Sequence, residues 1–154
     1  MKNIQEKLLD YLEDSTKNTA IKDLFEDNRF HEDRHELTSL LRFVLNVSNN
    51  HYRNEQFYSK IEGILRFFKE DIKTKFQNSE LFHIFKSNKK ILLFLHQEKM
   101  LTFDEKIVKT IIQGKYVDAY YLEYFSPEIR PFIDKKWFPA KLKKNDWLTD
   151  ELPV

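Results

Sequence analysis

The chain has 154 residues, of which 41% are hydrophobic and 33% charged; its net charge is +1 and it has no cysteine. That balance excludes a disordered or membrane-spanning class, and the missing cysteine excludes disulfides, thiolate zinc sites and cysteine nucleophiles. Two glycines and four prolines are too few for an all-β or dinucleotide-binding fold, which needs turn glycines, so helices are expected. Charge is unevenly spread. Residues 1–36 carry six basic and ten acidic side chains, a balance of −4, which leaves +5 for the remainder. This asymmetry is too mild to require a nucleic-acid partner. The charged N-terminus "MKNIQEKLLDYLED" does not read as a signal peptide, and the longest apolar run, Ile91 to Leu95, is too short to span a bilayer. An intracellular, cytoplasmic protein with no membrane association is expected.

Helical periodicity runs along most of the sequence. Ile4, Leu8, Tyr11 and Leu12 make a first stripe, and a short segment follows around Ile21, Leu24 and Phe25. Leu37, Leu40, Leu41, Val44 and Leu45 then recur at the helical spacing. Ser48 to Asn50 read as a polar turn cluster. Phe57, Ile61, Ile64, Leu65, Phe68 and Ile72 predict one long helix, inside which Gly63 marks a close crossing. Ser79 is a candidate cap for a brief helix through Leu81, Phe82 and Phe85, and Asn88 for the next. "ILLFL" (91–95) has no strand to pair with and is read as a fully buried helix. Thr102 with Glu105 predicts a capping box before Ile107, Val108, Ile111 and Ile112, and Gly114 a stop. "KYVDAYYLEYF" (115–125) reads as helical. Pro127 suits a first helical position, and Pro131 keeps that helix short. Short connections between residues 78 and 126 place consecutive helices antiparallel and adjacent, as stacked hairpins.

His31-Glu32-x-x-His35 matches the helix motif of zinc hydrolases. On one helix, histidines at i and i+4 reach one metal, Glu32 would be the general base, and Glu55 (or His51) would complete the ligands. Asp33 and Arg34 argue against it. In a catalytic helix these positions are buried, and burying that pair would cost several kcal/mol per ion. No strand precedes the motif. The ordinary reading is a helix start whose acidic first turn complements the macrodipole and whose histidines face solvent. No metal and no cofactor are therefore expected.

Two lysine clusters carry the nucleic-acid alternative: Lys86, Lys89 and Lys90, and Lys135, Lys136, Lys141, Lys143 and Lys144 around Trp137 and Phe138. Lysines could follow a phosphate backbone while the rings stack bases. Neither cluster contains an arginine, and the ordinary reading is a solvated face with aromatic packing.

Three stretches, "NVSNNHYRNEQFYSKIEGIL" (46–65), "IFKSNKKILLFLHQEKMLTFDEKIVKTI" (84–111) and "YFSPEIRPFIDKKWFP" (124–139), together resemble the helical N-terminal region of a protist ankyrin-repeat protein family, much expanded in trichomonads. Ser-Asn-Lys-Lys-Ile-Leu-Leu-Phe-Leu (87–95) is the most specific part. The resemblance covers most of residues 37 to 139 and leaves His31 and His35 outside. It implies a non-enzymatic helical region that binds proteins and precedes ankyrin repeats, and it brings no catalytic residue.

The expectation is an all-α fold of antiparallel helical hairpins, α-solenoid-like, with ankyrin-like stacking in the C-terminal half. Residues 1–139 would form a single helical domain and 140–154 a C-terminal tail or junction. The expected role is protein–protein interaction or scaffolding, with nucleic-acid binding and zinc hydrolysis as alternatives. Aromatics are enriched at binding hot spots, which points to Tyr116, Tyr120, Tyr121, Tyr124, Trp137 and Phe138 as the protein-binding residues.

Overall fold

A computed structural model describes residues 3–13, 21–26, 28–50, 55–113, 123–140 and 142. The chain is all-α, and no strand occurs among the described residues. Helix α1 (Ile4–Glu13) starts on Asn3, whose side chain accepts from the Glu6 N–H at 2.8 Å. At its other end the Lys60 ammonium donates to the Tyr11 carbonyl at 2.6 Å and sits 4.9 Å above the Tyr11 ring. A lysine there answers the unpaired carbonyls of a helix C-terminus. Two short helices, α2 (Ile21–Leu24) and α3 (Arg29–Glu32), bring Phe25 and Phe30 into the core.

Helix α4 (Arg34–Asn50) buries Leu37, Leu40, Leu41, Val44 and Val47. It does not stop at the polar cluster. Ser48 is buried, and its hydroxyl donates to the Val44 carbonyl at 2.8 Å, so the helix satisfies it internally. The expected turn is thus the last helical turn, and Asn49 reaches across to the Ser87 hydroxyl at 3.0 Å.

The expected long helix is two: α5 (Glu55–Phe67) and α6 (Lys69–Lys75), with a bend at Phe68. The Phe68 N–H still donates to Ile64 and its carbonyl accepts from Ile72, so Phe68 closes α5 and opens α6. A Cβ at Gly63 would stand 3.0 Å from the Ile21 Cδ1, so the missing side chain makes room for α2.

Helix α7 (Asn78–Phe85) is capped by Gln77 and Glu80 in a reciprocal box, not by Ser79, which lies inside the helix. The next helix, α8 (Lys89–Gln97), is capped by Asn88 as expected: its Oδ1 accepts from the Ile91 N–H at 3.1 Å, while its Nδ2 donates to Asn49 at 3.0 Å. Ile91, Leu92, Phe94 and Leu95 are buried, as the apolar run predicts, while Leu93 is only partly so. The end of α8 is a Schellman motif. The Lys99 N–H donates to His96, the Met100 N–H donates to Leu95, and Lys99 takes a positive φ of 63°.

Asp104, not Thr102, caps α9 (Glu105–Gln113), accepting from the Ile107 N–H at 2.9 Å. The Thr102 N–H instead donates to Asn78, tying the start of α7 to the start of α9. Gly114 and the tyrosine-rich segment 115–122 lie outside the described residues. After them come α10 (Ser126–Ile129), with Pro127 at its start, and a 3-10 turn at Arg130–Phe132. Pro131 cannot supply the N–H an α-helix would need, and the chain tightens instead.

One cluster of buried apolar side chains runs from Leu8 to Phe138, with Leu142 partly buried against it. Helix α5 packs on α1 and α2, and α7 packs on α4, α8 and α9. No helix among the described residues is long and apolar enough to cross a membrane.

Candidate functional site

The hydrolase motif is split by the fold. Asp33 takes an extended conformation (φ −111°, ψ 111°) between α3 and α4, so His31 and His35 stand on different helices. Its carboxylate accepts from the His35 N–H at 2.8 Å and its carbonyl from Leu37, which makes it the cap of α4. Arg34 anchors that start: its guanidinium pairs with Glu80, donates to the Lys75 carbonyl at 3.0 Å and lies 4.9 Å above the Phe76 ring. The two residues that made the motif atypical therefore hold a helix junction together.

His31 does not face solvent as expected. Its Nδ1 lies 2.7 Å from Asp71 Oδ2, and its ring packs 4.9 Å from Phe68 and 5.4 Å from Phe67. Lys75 donates to the other Asp71 oxygen at 3.1 Å. Burial pushes the Asp71 carboxyl up, but the hydrogen bonds and charges of His31 and Lys75 outweigh it and hold the group below the ordinary carboxylate value. His35 is exposed. Glu55 is exposed at the start of α5, on a different groove of about 580 Å³ with Tyr58, Glu62 and Lys90. Among the described residues no three histidine or carboxylate side chains converge as metal ligands. His51 lies outside them.

Of the aromatic residues picked for binding, Tyr116, Tyr120 and Tyr121 lie outside the described residues. Tyr124 is 37% exposed, the only large hydrophobic side chain among the described residues to stand out in solvent. It is held edge-on to the fully buried Phe125, centroids 5.0 Å apart, with the Lys89 ammonium 5.1 Å from its ring. Trp137 is partly buried between Phe132 and Phe138; its indole N–H donates to Glu105, and Lys109 sits 5.1 Å from its ring. Phe138 is 4% exposed and belongs to the core.

The lysine clusters are engaged in a similar way. Lys89 stands over Tyr124, and Lys90 stands over Tyr58 at 4.1 Å. Lys135 and Lys136 are exposed, while Lys141, Lys143 and Lys144 lie outside the described residues.

One cleft escaped sequence reading. His96, at the end of α8, meets Phe103, Pro127, Glu128, Pro131 and Phe132 around a cleft of about 390 Å³. The His96 Nδ1 and Glu128 Oε2 atoms are themselves inaccessible to solvent, so other parts of these side chains line the cleft. A carboxylate after a proline and a histidine in an apolar run carry no joint signal, because 32 residues separate them.

No family model, no curated protein and no solved structure matches this chain. Its chemistry has to be read from its own side chains.

Proposed function

We propose that the chain is a non-enzymatic protein–protein interaction or scaffold module. Residues 1–139 form the module as antiparallel helical hairpins, solenoid-like, with ankyrin-like stacking in the C-terminal half, of the kind that precedes ankyrin repeats. Residues 140–154 are its junction segment, and the setting is intracellular and cytoplasmic. The observation that carries the reading is Tyr124: an exposed ring, set against Phe125 with Lys89 beside it, on a chain whose other described large apolar side chains are buried or partly buried. A rigid aromatic with a cation beside it offers contact area at little entropic cost, the property of interface anchors.

The nucleic-acid alternative needs free ring faces beside the lysines. Phe138 is in the core, and Lys109 already covers Trp137, which disfavours base stacking there. Affinity capture from source-cell lysate with the intact chain, compared with Tyr124→Ala, tests the proposal. The expected result is one or more proteins retained by the native chain and reduced at least about tenfold by the variant, at unchanged helical signal. Retention of nucleic acid that falls steeply with salt would favour the lysine clusters instead. One zinc per chain, lost on His31→Ala or His35→Ala, would restore the hydrolase reading.

A further inference from the structure

We infer that the groove between α4 and α7 binds a short acidic segment of a partner protein, with one carboxylate side chain held by Arg42 and His83. The inference rests on the interaction role proposed above and adds a second contact to Tyr124, with the chemistry of what it takes.

Two packed helices build the groove. Arg34, Thr38 and Arg42 recur every four residues along one face of α4, and Ser79, Glu80 and His83 line it from α7. Phe76 and Ile84, each 7% exposed, add an apolar floor. The volume, about 440 Å³, lies within the range of ordinary ligand clefts. Both helices progress the same way between two ties, Arg34 to Glu80 and Asn49 to the Ser87 hydroxyl at 3.0 Å. Arg42 and His83 fall together between those ties.

The two ends of the groove differ. At the Arg34 end the fold meets its own needs. The Arg34 guanidinium pairs with Glu80 across the groove, donates to the Lys75 carbonyl at 3.0 Å and covers the Phe76 ring. The other Glu80 oxygen accepts from the Gln77 N–H at 2.9 Å, and the Thr38 hydroxyl donates back to the Arg34 carbonyl at 2.8 Å. Further along, Arg42 and His83 are both exposed, and neither has a hydrogen bond, ion pair or ring contact with any described residue. Their donors are free.

Charge then decides the occupant. The lining holds two arginines and one glutamate; Arg34 and Glu80 cancel, which leaves +1 from Arg42 with His83 neutral. A single carboxylate matches that charge. The guanidinium offers it a planar fork of N–H donors, and the imidazole adds one from whichever nitrogen carries the proton. A phosphate dianion exceeds the charge, and a nucleic-acid backbone calls for a row of cations where this lining has one unpaired. Arg34 to Arg42 is about 12 Å of helix, the span of three or four extended residues. A segment of that length sets an acidic side chain at Arg42 and an apolar neighbour on the floor.

The test is a nuclear magnetic resonance titration of the full chain, following the His83 ring and the Arg42 Nε–H. The probes are the blocked peptide Ala-Leu-Glu-Leu-Ala and its counterparts with glutamine or phosphoserine in the middle. Saturable shifts at both groups are expected with glutamate, with glutamine at least about fivefold weaker and phosphoserine no tighter than glutamate. Arg42→Gln should weaken the glutamate peptide by about the same factor. Its unfolding midpoint should stay unchanged, because Arg42 holds nothing in the fold. No saturable shift at His83, equal binding of glutamate and glutamine, indifference to Arg42→Gln, or tighter binding of phosphoserine would each overturn the inference. The two proposals also fail separately. A captured protein whose retention falls with Tyr124→Ala and ignores Arg42→Gln removes the groove and spares the interaction role. Glutamate-peptide binding that needs Arg42, with no protein captured by the intact chain, keeps the carboxylate site and removes the partner.

Discussion

His31 and His96 are both set against phenylalanine rings, at the same 4.9 Å centroid distance from Phe68 and Phe103 respectively. In the N-terminal half the imidazole meets a carboxylate at 2.7 Å, and Lys75 completes the group. In the C-terminal half the His96 ring packs edge-on against Phe103, and its Nδ1 is buried with no hydrogen-bond partner among the described residues. The first arrangement is explained by the fold alone: it joins α3 to α6 and satisfies its own polar atoms. The second is held by ring packing alone, without the carboxylate partner that His31 has. The histidine of the suggestive motif is thus tied into the fold by a carboxylate, and the one in the unremarked apolar run by an aromatic ring.

The largest test of this contrast is whether the two halves share one cooperative core. Phe68 and Phe125 are both fully buried, and each sits among other rings. Replacing either with alanine should cost about 3–5 kcal/mol in urea unfolding. If Phe125→Ala cost below about 1 kcal/mol while Phe68→Ala kept its full effect, the cleft would belong to a separately opening segment.

The next test sets the paired carboxylate against the orphaned one. Asp71→Asn should lower stability by about 1 kcal/mol at neutral pH, a modest figure because the pair is partly exposed to solvent screening. The Asp71 carboxyl titrates lower folded than unfolded. Its contribution is therefore complete above the unfolded value of about 3.9 and drains away as pH falls through the folded one. The gap between native and Asp71→Asn unfolding midpoints should close with it. Glu128→Leu should go the other way, neutral or stabilising by about 1 kcal/mol, because it removes an unpaired buried acceptor. A clear loss of stability with Glu128→Leu would mean that the carboxylate has an internal role and that the two halves do not differ.

The smallest effect sharpens the geometry beside His96. Lys99 holds a left-handed backbone at the Schellman end of α8, where glycine carries no steric penalty. Lys99→Gly should raise stability by about 0.5–1 kcal/mol in thermal or urea unfolding. No gain in stability would show that the left-handed turn at Lys99 carries no strain.

Much of the fold was legible beforehand. The stripes in α1, α4, α8 and α9, the Asn88 cap and the short helix started by Pro127 follow from spacing and local hydrogen-bonding chemistry, which act within one turn of chain. The misreadings share a cause. Ser48, Ser79 and Thr102 have the chemistry of turns and caps, but Ser48 is satisfied inside its own helix, while Gln77 and Asp104 hold the capping positions assigned to the other two. The bend at Phe68 was hidden because the apolar spacing continues straight through it. Of the aromatic residues chosen for binding, Phe138 went to the core and Tyr124 to the surface, a division that ring chemistry does not announce.

By itself, then, the sequence determined the all-α class, most helix positions and the inward-facing stripes, because periodicity and the scarcity of glycine act locally. Only the tertiary structure decided that Asp33 separates His31 from His35, that Asp71 answers His31 across 40 residues, and that His96 and Glu128 open on one cleft. Those are contacts between elements distant in the chain, and no pattern within a single element encodes which groups will meet, or which will be left without a partner.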